Sequence, residues 1–312
     1  NGLFPIMIFL FGLSLVGWAR MESLRGIDKK INVAVVQPNV DPNKKWHEKH
    51  RIIAFMDSLH REATKMGPDI IVFPETALPS YLTRDNKTRG MLQKTVDKSN
   101  IPLLTGTIDV KIEDEKKNYY NSAMWLRPNN DYQIYSKIHL VPFAEYDLFP
   151  SIFHPLTWLN INIDRGSFKS GNDFKIFNWK GIYFSDLICY ESSIPQIVRE
   201  FVRKGSELMI IQANDGWLEN SYGPYQHFEI ARLRAIENRI PILRSANTGI
   251  SGFIRADGTV KSKVDLNKQL IFLENINITK TGSIYSSYGD IFALVCFLIT
   301  LLISILSCKK AF

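Results

Sequence analysis

Three residue types at three separate places can do chemistry together: a thiol, a carboxylate and an ammonium. The run 181–191, Gly-Ile-Tyr-Phe-Ser-Asp-Leu-Ile-Cys-Tyr-Glu, is β-branched and aromatic and delivers Cys189 at its end. Ser-Ser-Ile-Pro follows, and then Ile197, Val198, Phe201 and Val202 recur at helical spacing. Cys189 is therefore expected at a strand-to-helix junction, where the active sites of α/β sheets concentrate. The bland reading is a small buried hydrophobe, the usual lot of an arbitrary intracellular cysteine. Glu75 follows Asp-Ile-Ile-Val-Phe-Pro, and Lys137 follows Tyr-Gln-Ile-Tyr-Ser, so both also stand at strand ends. Alone, Glu75 reads as a helix-start residue and Lys137 as a solvated charge. Together they suit acyl transfer: the carboxylate takes the thiol proton, the thiolate attacks a carbonyl, and the ammonium stabilises thiolate and oxyanion.

The elements that must position them alternate. Residues 31–36 and 69–73 read as buried strands, separated by an amphipathic helix on Ile52, Phe55, Met56, Leu59 and Ala63 that Gly67-Pro68 closes. A weak helix at 91–99 precedes a strand at 102–107. A charged hairpin tip at 111–117 leads to 119–126, which pairs back with 132–135 through Pro-Asn-Asn-Asp. Strands at 208–212 and 241–245 flank a helix at 225–238. Ala256-Asp257-Gly258 joins 252–255 to 259–264 as a hairpin. Strands interleaved with helices and hairpins predict an α/β fold with mixed sheets. No repeat or Ser/Gly-rich linker divides it. The segment 148–171 is irregular yet rich in apolar residues, including Phe149, Phe153 and Trp158, and suits core, lid or a surface dipping into lipid.

The chain has 312 residues, 45% of them hydrophobic, enough for one large domain. Its ends differ in kind. Residues 3–19 and 291–308 carry no charge, with Trp18 and Arg20 at the edge of the first and Lys309 and Lys310 closing the second. Both predict transmembrane helices near the short limit of length. The first lacks the basic n-region and small-residue cleavage site of a signal peptide, and the chain starts at an asparagine. The reading is the C-terminal portion of a longer membrane protein, divided as 1–24 helix and flank, 25–283 catalytic domain, and 284–312 helix and basic tail. Lys309 and Lys310 put the C-terminus in the cytoplasm and the domain on the opposite face. Arg20, Arg25, Lys29 and Lys30 run against that rule, but long domains translocate largely regardless of local charge. The net charge of +7 is spread out, so it suits anionic lipid headgroups rather than a nucleic-acid groove. Of three cysteines, Cys296 and Cys308 belong to the second apolar segment. Cys189 is left without a disulfide partner or zinc-ligand spacing, and no cofactor or metal is expected.

At this point the motifs carry a resemblance. Phe73-Pro74-Glu75, Lys137 followed by Ile-His-Leu-Val-Pro-Phe-Ala-Glu145, and Cys189-Tyr190-Glu191 resemble the three catalytic blocks of the nitrilase superfamily, in its order. Asn214-Asp215-x-Trp217, Gly223-Pro224-x-Gln226-His227-Phe228 with Arg232 and Arg234 downstream, and Leu243-Arg244-Ser245-x-Asn247-x-Gly249 are similar to the apolipoprotein N-acyltransferase family within it, over about 31–282. The resemblance implies a nitrilase-like αββα sandwich in a multi-pass protein of the bacterial inner membrane, its domain facing the periplasm. It implies Glu75 as general base, Lys137 as oxyanion stabiliser and Cys189 as nucleophile. Cys189 would take an acyl chain from a phospholipid, usually phosphatidylethanolamine, and pass it to the N-terminal amine of a diacylated apolipoprotein. Glu145, Tyr190 and Glu191 map to supporting positions and Trp46 to a substrate-facing loop. The Tyr190 backbone N–H is a further oxyanion donor on geometric grounds. His227, Arg232 and Arg234 are expected to be structural. The pattern departs at Pro38, where Gln-Gly-Asn is common, and at Ser185-Asp186, where small or apolar residues are usual. Two other readings stand: a membrane-tethered amidase whose acyl-enzyme is resolved by water, and a catalytically silent membrane-binding module.

Overall fold

The computed structural model describes residues 3–23, 29–113, 115–142, 144–146, 168–218, 221–278 and 282–310. Most of the irregular apolar segment 148–171 lies outside them. Alternation in β1 (Lys29–Gln37) shows how the layers arise. Ile31, Val33 and Val35 enter one apolar cluster, while Ala34 and Val36 enter another on the opposite face. A strand buried on both faces reads as a near-continuous apolar run, as this one does.

β1 pairs in parallel with β2 (Ile70–Val72), which pairs in parallel with β3 (Leu103–Glu113). Antiparallel β4 (Lys116–Arg127) and β5 (Asp131–Ser136) extend one edge, and β12 (Leu270–Ile278) covers the other. The sheet order is β12-β1-β2-β3-β4-β5. The second sheet repeats the plan around β7 (Ile182–Ile188), β8 (Leu208–Ala213) and β9 (Ile242–Ala246), which are parallel. β6 (Phe177–Trp179), β10 (Ser251–Ile254) and β11 (Val260–Val264) complete the order β11-β10-β9-β8-β7-β6.

The two sheets pack face to face on Val33, Val35, Val72, Leu104, Trp125, Phe184 and Leu187. Beneath the first sheet lie the helices Lys49–Lys65 and Asn86–Ser99, whose Met56, Leu59, Leu92 and Val96 meet Ala34, Ile71 and Met124. Beneath the second lie Pro195–Arg203 and Gly223–Asn238, which supply Val198, Phe201, Phe228 and Ala231. The result is the expected αββα sandwich of two mixed six-stranded sheets. Two hydrogen bonds stitch the sheets at their strand ends: Gln212 Nε2 donates to the Phe73 carbonyl at 2.6 Å, and Ser245 Oγ to that of Val36 at 3.0 Å.

Local differences from expectation have local causes. β3 and β4 run on to Glu113 and Lys116 rather than stopping at Thr107 and Tyr119, because their charged ends pair across an exposed ribbon that needs no core. The second helix starts at Asn86, not 91, since Asp85 caps it by accepting from the Thr88 N–H at 3.0 Å.

The expectation of two spanning helices is corrected: among the described residues no helix is long and apolar enough to cross a membrane. The apolar ends do form helices, Leu3–Ser23 and Ile291–Lys310. At 1.5 Å per residue, however, the uncharged run of each covers only roughly 25–27 Å of a hydrocarbon core about 30 Å thick. Arg20 and Glu22 fall inside the last turn of the first, and Lys309 and Lys310 inside that of the second.

Candidate active site

Cys189 sits where β7 stops, as the first residue of the tight turn Cys189–Ser193 that leads into helix Pro195–Arg203. Its φ of 51° places it in the left-handed region, uncommon for a residue with a Cβ, and local hydrogen bonds hold it there. The Cys189 carbonyl accepts from Ser192 Oγ at 2.8 Å and lies 3.1 Å from His227 Nε2. Glu191 closes the turn by accepting from the Ile188 N–H at 2.8 Å.

Glu191 does more than cap its own turn. Its other oxygen accepts from Tyr135 Oη at 2.7 Å, the Ile138 N–H at 2.7 Å and the His139 N–H at 3.1 Å. One buried carboxylate thus brackets the turn bearing Cys189 to the strand end bearing Lys137. Burial raises the Glu191 carboxyl above its ordinary range, and Lys137 and these donors oppose the rise.

Lys137 follows β5 and is 1% exposed. Its Nζ meets both oxygens of Glu145, at 3.0 and 2.8 Å, and the second of these also accepts from the Val141 N–H at 2.8 Å. Burial works against the ammonium, but Glu75, Cys189, Glu145 and Glu191 surround it with negative charge and hold its pKa above the lysine norm. The surrounding carboxylates thus favour its ammonium form.

Glu75 follows β2 after Phe73-Pro74 and is 8% exposed. Its Oε1 accepts from Asn121 Nδ2 at 2.8 Å, and the same amide donates to Glu145 Oε1 at 2.8 Å. Burial raises Glu75 above a normal carboxyl, Lys137 pulls it back, and Glu145 pushes it up again. Such a carboxylate is a stronger base than one in water. Burial and the Glu75 charge raise the Cys189 thiol above its usual value, with Lys137 acting in the other direction. The resting thiol is therefore neutral, and ionisation requires the proton to move to a neighbouring base. Cys189 lies in the fields of both Glu75 and Lys137, while Glu145 bonds to Lys137 and Glu191 to the Ile138 N–H beside it.

The two remaining expected residues are peripheral. Trp46 is 44% exposed, with its ring centroid 5.7 Å from that of Tyr81. Tyr190 is 37% exposed and rests 6.0 Å from the His139 ring.

The far side of Cys189 holds a second polar cluster. Arg244 Nη2 donates to Asp215 Oδ2 at 2.6 Å, and Asp215 Oδ1 lies 2.8 Å from His227 Nδ1. His227 Nε2 is 2.9 Å from Ser192 Oγ. Burial alone would raise Asp215, but Arg244 and His227 bring it down to about 2, while burial and Arg244 depress His227. Cys189, Asp215 and His227 offer ligand atoms within 4.8 Å of one another. The buried guanidinium already neutralises that carboxylate, which leaves little to attract a metal cation.

Three residues of the site escaped the reading of the sequence. Asn121 had a signal, an amide within the apolar strand Tyr-Tyr-Asn-Ser-Ala-Met-Trp-Leu, where a buried polar group demands partners. Asp215 was visible only as part of a motif. Lys45, whose Nζ donates to the Thr76 carbonyl beside Glu75 at 2.9 Å, had none, because Lys-Lys-Trp in a polar stretch looks like solvated charge.

A thiol, a carboxylate and an ammonium gathered at the strand ends of an αββα sandwich define a class. The chain belongs to the carbon-nitrogen hydrolase family, whose model matches residues 32–284. The fold is similar to that of the carbon-nitrogen hydrolase of Helicobacter pylori G27, with a TM-score of 0.64 at 18% identity, covering 80% of this chain and 89% of that one. Nit3 of Saccharomyces cerevisiae, of the nitrilase superfamily, gives 0.61 at 18% identity, covering 80% of this chain and 91% of that one. Nearer in sequence are apolipoprotein N-acyltransferases. That of Geobacter metallireducens is 30% identical over 295 residues, covering 93% of this chain and 56% of that protein. That of Allorhizobium ampelinum is 34% identical over 270 residues, covering 82% and 49%. The chain spans about half the length of the curated relatives it matches.

Proposed function

We propose that this chain is the catalytic part of a membrane N-acyltransferase that moves an acyl chain from a phospholipid to the N-terminal amine of a diacylated apolipoprotein. The observation that carries the reading is the hydrogen-bonded frame that joins Glu75 to Glu145 through Asn121, Glu145 to Lys137, and the Cys189 turn to the Lys137 strand end through Glu191. Glu75 takes the thiol proton as Cys189 attacks the ester carbonyl. Lys137 and the Tyr190 backbone N–H stabilise the oxyanion. The C–O bond breaks, the lysophospholipid leaves with the proton from Glu75, and a thioester remains. The acceptor amine then attacks the thioester, Glu75 receives the amine proton, and the C–S bond breaks as the thiol is restored. Glu145 keeps Lys137 aimed, Glu191 keeps Cys189 and Lys137 in register, and Trp46 offers an aromatic face to the incoming lipid. No cofactor or metal enters the cycle.

The domain division 1–24, 25–283 and 284–312 belongs to this reading, with 25–283 as the catalytic unit. The uncharged runs of both terminal helices are exposed, from Leu3 and Phe4 to Phe292 and Leu306, which supports their resting against lipid of the bacterial inner membrane. The basic Lys309 and Lys310 that follow the second run suit anionic lipid headgroups.

The test is intact-mass analysis after incubation with phosphatidylethanolamine in detergent. The wild-type chain gains one acyl mass and Cys189→Ser does not; a folded wild-type preparation that gains nothing refutes the reading. A diacylated lipopeptide should discharge the adduct. Equal discharge by water alone favours the amidase alternative, which the hydrolase name of the family keeps in view.

A further inference from the structure

The turn that presents Glu75 is strained. Thr76 has φ 42°, a left-handed conformation that a β-branched residue rarely adopts. Such strain persists only where surrounding structure enforces it, and it gathers at functional sites. Two features enforce it here. Gly106 on β3 passes so close that a Cβ would lie 2.6 Å from the Pro74 carbonyl oxygen and 2.7 Å from the Glu75 carbonyl carbon. On the other side Lys45 Nζ donates to the Thr76 carbonyl at 2.9 Å.

Lys45 is an unusual choice for a backbone tether, since the residue is only 4% exposed. Burial brings its pKa down to about 8, and the charge of Glu75 offsets part of that fall. The strongest charges on Glu75 are Lys137, Glu145 and Asp215, so Lys45 does not serve as its main counter-ion. Its direct contact is with the peptide that follows the carboxylate. The segment that holds it also carries Trp46 against Tyr81.

We propose that Lys45 is a positioning residue, whose ammonium grips the Thr76 carbonyl and so holds the strained turn that aims Glu75 at the Cys189 thiol. The inference rests on Glu75 being the base in the reading above. A charge-assisted hydrogen bond to a fixed carbonyl is stronger than a neutral one, which suits a tether that must resist backbone relaxation.

The experiment is the rate of Cys189 alkylation by iodoacetamide near neutral pH, followed at that cysteine by peptide mass spectrometry. Glu75→Gln should slow it about a hundredfold, as expected for loss of a general base. Lys45→Met should slow it about tenfold, Lys45→Arg should restore most of the rate, and Lys98→Met, on an exposed helix end, should leave it unchanged. In the Glu75→Gln background Lys45→Met should add nothing, because it acts through that carboxylate. Should Lys45→Met fail to fold, Lys45→Gln replaces it in the same comparison. A wild-type rate in the Lys45 variant beside a slow Glu75→Gln overturns the proposal alone, and so does an equal loss in both backgrounds. A wild-type rate in Glu75→Gln overturns the base assignment and this inference with it.

Discussion

Among single residues Asp186 is the most informative, because it breaks the rule that a buried polar group has partners. It sits inside β7, fully buried, and neither carboxyl oxygen has a hydrogen-bond partner. Burial, followed by the charges of Glu191 and Glu75, raises its pKa well above the ordinary value, so the folded protein keeps it as a neutral acid. The unfolded chain ionises it near pH 4. Above that pH the folded state holds the extra proton, and stability falls as pH rises until the folded group also ionises. Asp186→Asn is expected to make this fall shallower. Thermal melts at about pH 5 and about pH 8 should show a smaller loss of Tm in the variant, and an identical loss in both chains would contradict the account. The sequence marked Ser185-Asp186 as a departure from pattern but could not say that the acid is left unpartnered, since its surroundings come from distant parts of the chain.

At the level of elements, the site depends on turns rather than on strands. Gly106 is a strand residue whose missing Cβ makes room for the Pro74–Glu75–Thr76 turn, and the obstructing atoms are backbone that cannot rotate away. Gly106→Ala is predicted to destabilise the fold by about 1–3 kcal/mol, the usual scale for overpacking, and to slow Cys189 alkylation as well. Chemical denaturation together with the alkylation assay measures both, and an unshifted midpoint with normal reactivity would refute it. Most strands and three strand-end residues were legible from β-branched runs punctuated by Pro and Gly, because burial on two faces leaves a strong imprint, whereas the order of strands in the sheets was not. Asn121, Lys45 and the Asp215–His227–Arg244 cluster were not. Their roles arise from side chains meeting across layers, and neither spacing nor period encodes that.

For the whole molecule, the question is what accommodates two exposed apolar helices. Leu10 and Leu298 lie near their middles, both more than half exposed. If lipid surrounds them, a charge at each middle costs on the order of 3 kcal/mol. Wild-type chain is expected to stay in the membrane pellet on alkaline carbonate washing, while Leu10→Arg combined with Leu298→Arg is released. Release of both chains alike would remove the membrane from the proposed function while leaving the thiol chemistry untouched.

Glu191 has a mechanical consequence at this same scale. Its donors come from β7 in one sheet and from the β5 end of the other, and the bonds of Gln212 and Ser245 cross the same gap nearby. Sheets joined only by greasy contacts can slide on one another with little resistance. Here the sandwich is pinned at the rim that carries the site by buried bonds and at the opposite rim by the more exposed pairs Lys29–Glu207 and Lys180–Asp69, so sliding is resisted from both ends. The spacing of thiol and ammonium is then insulated from the softness of the core that carries them.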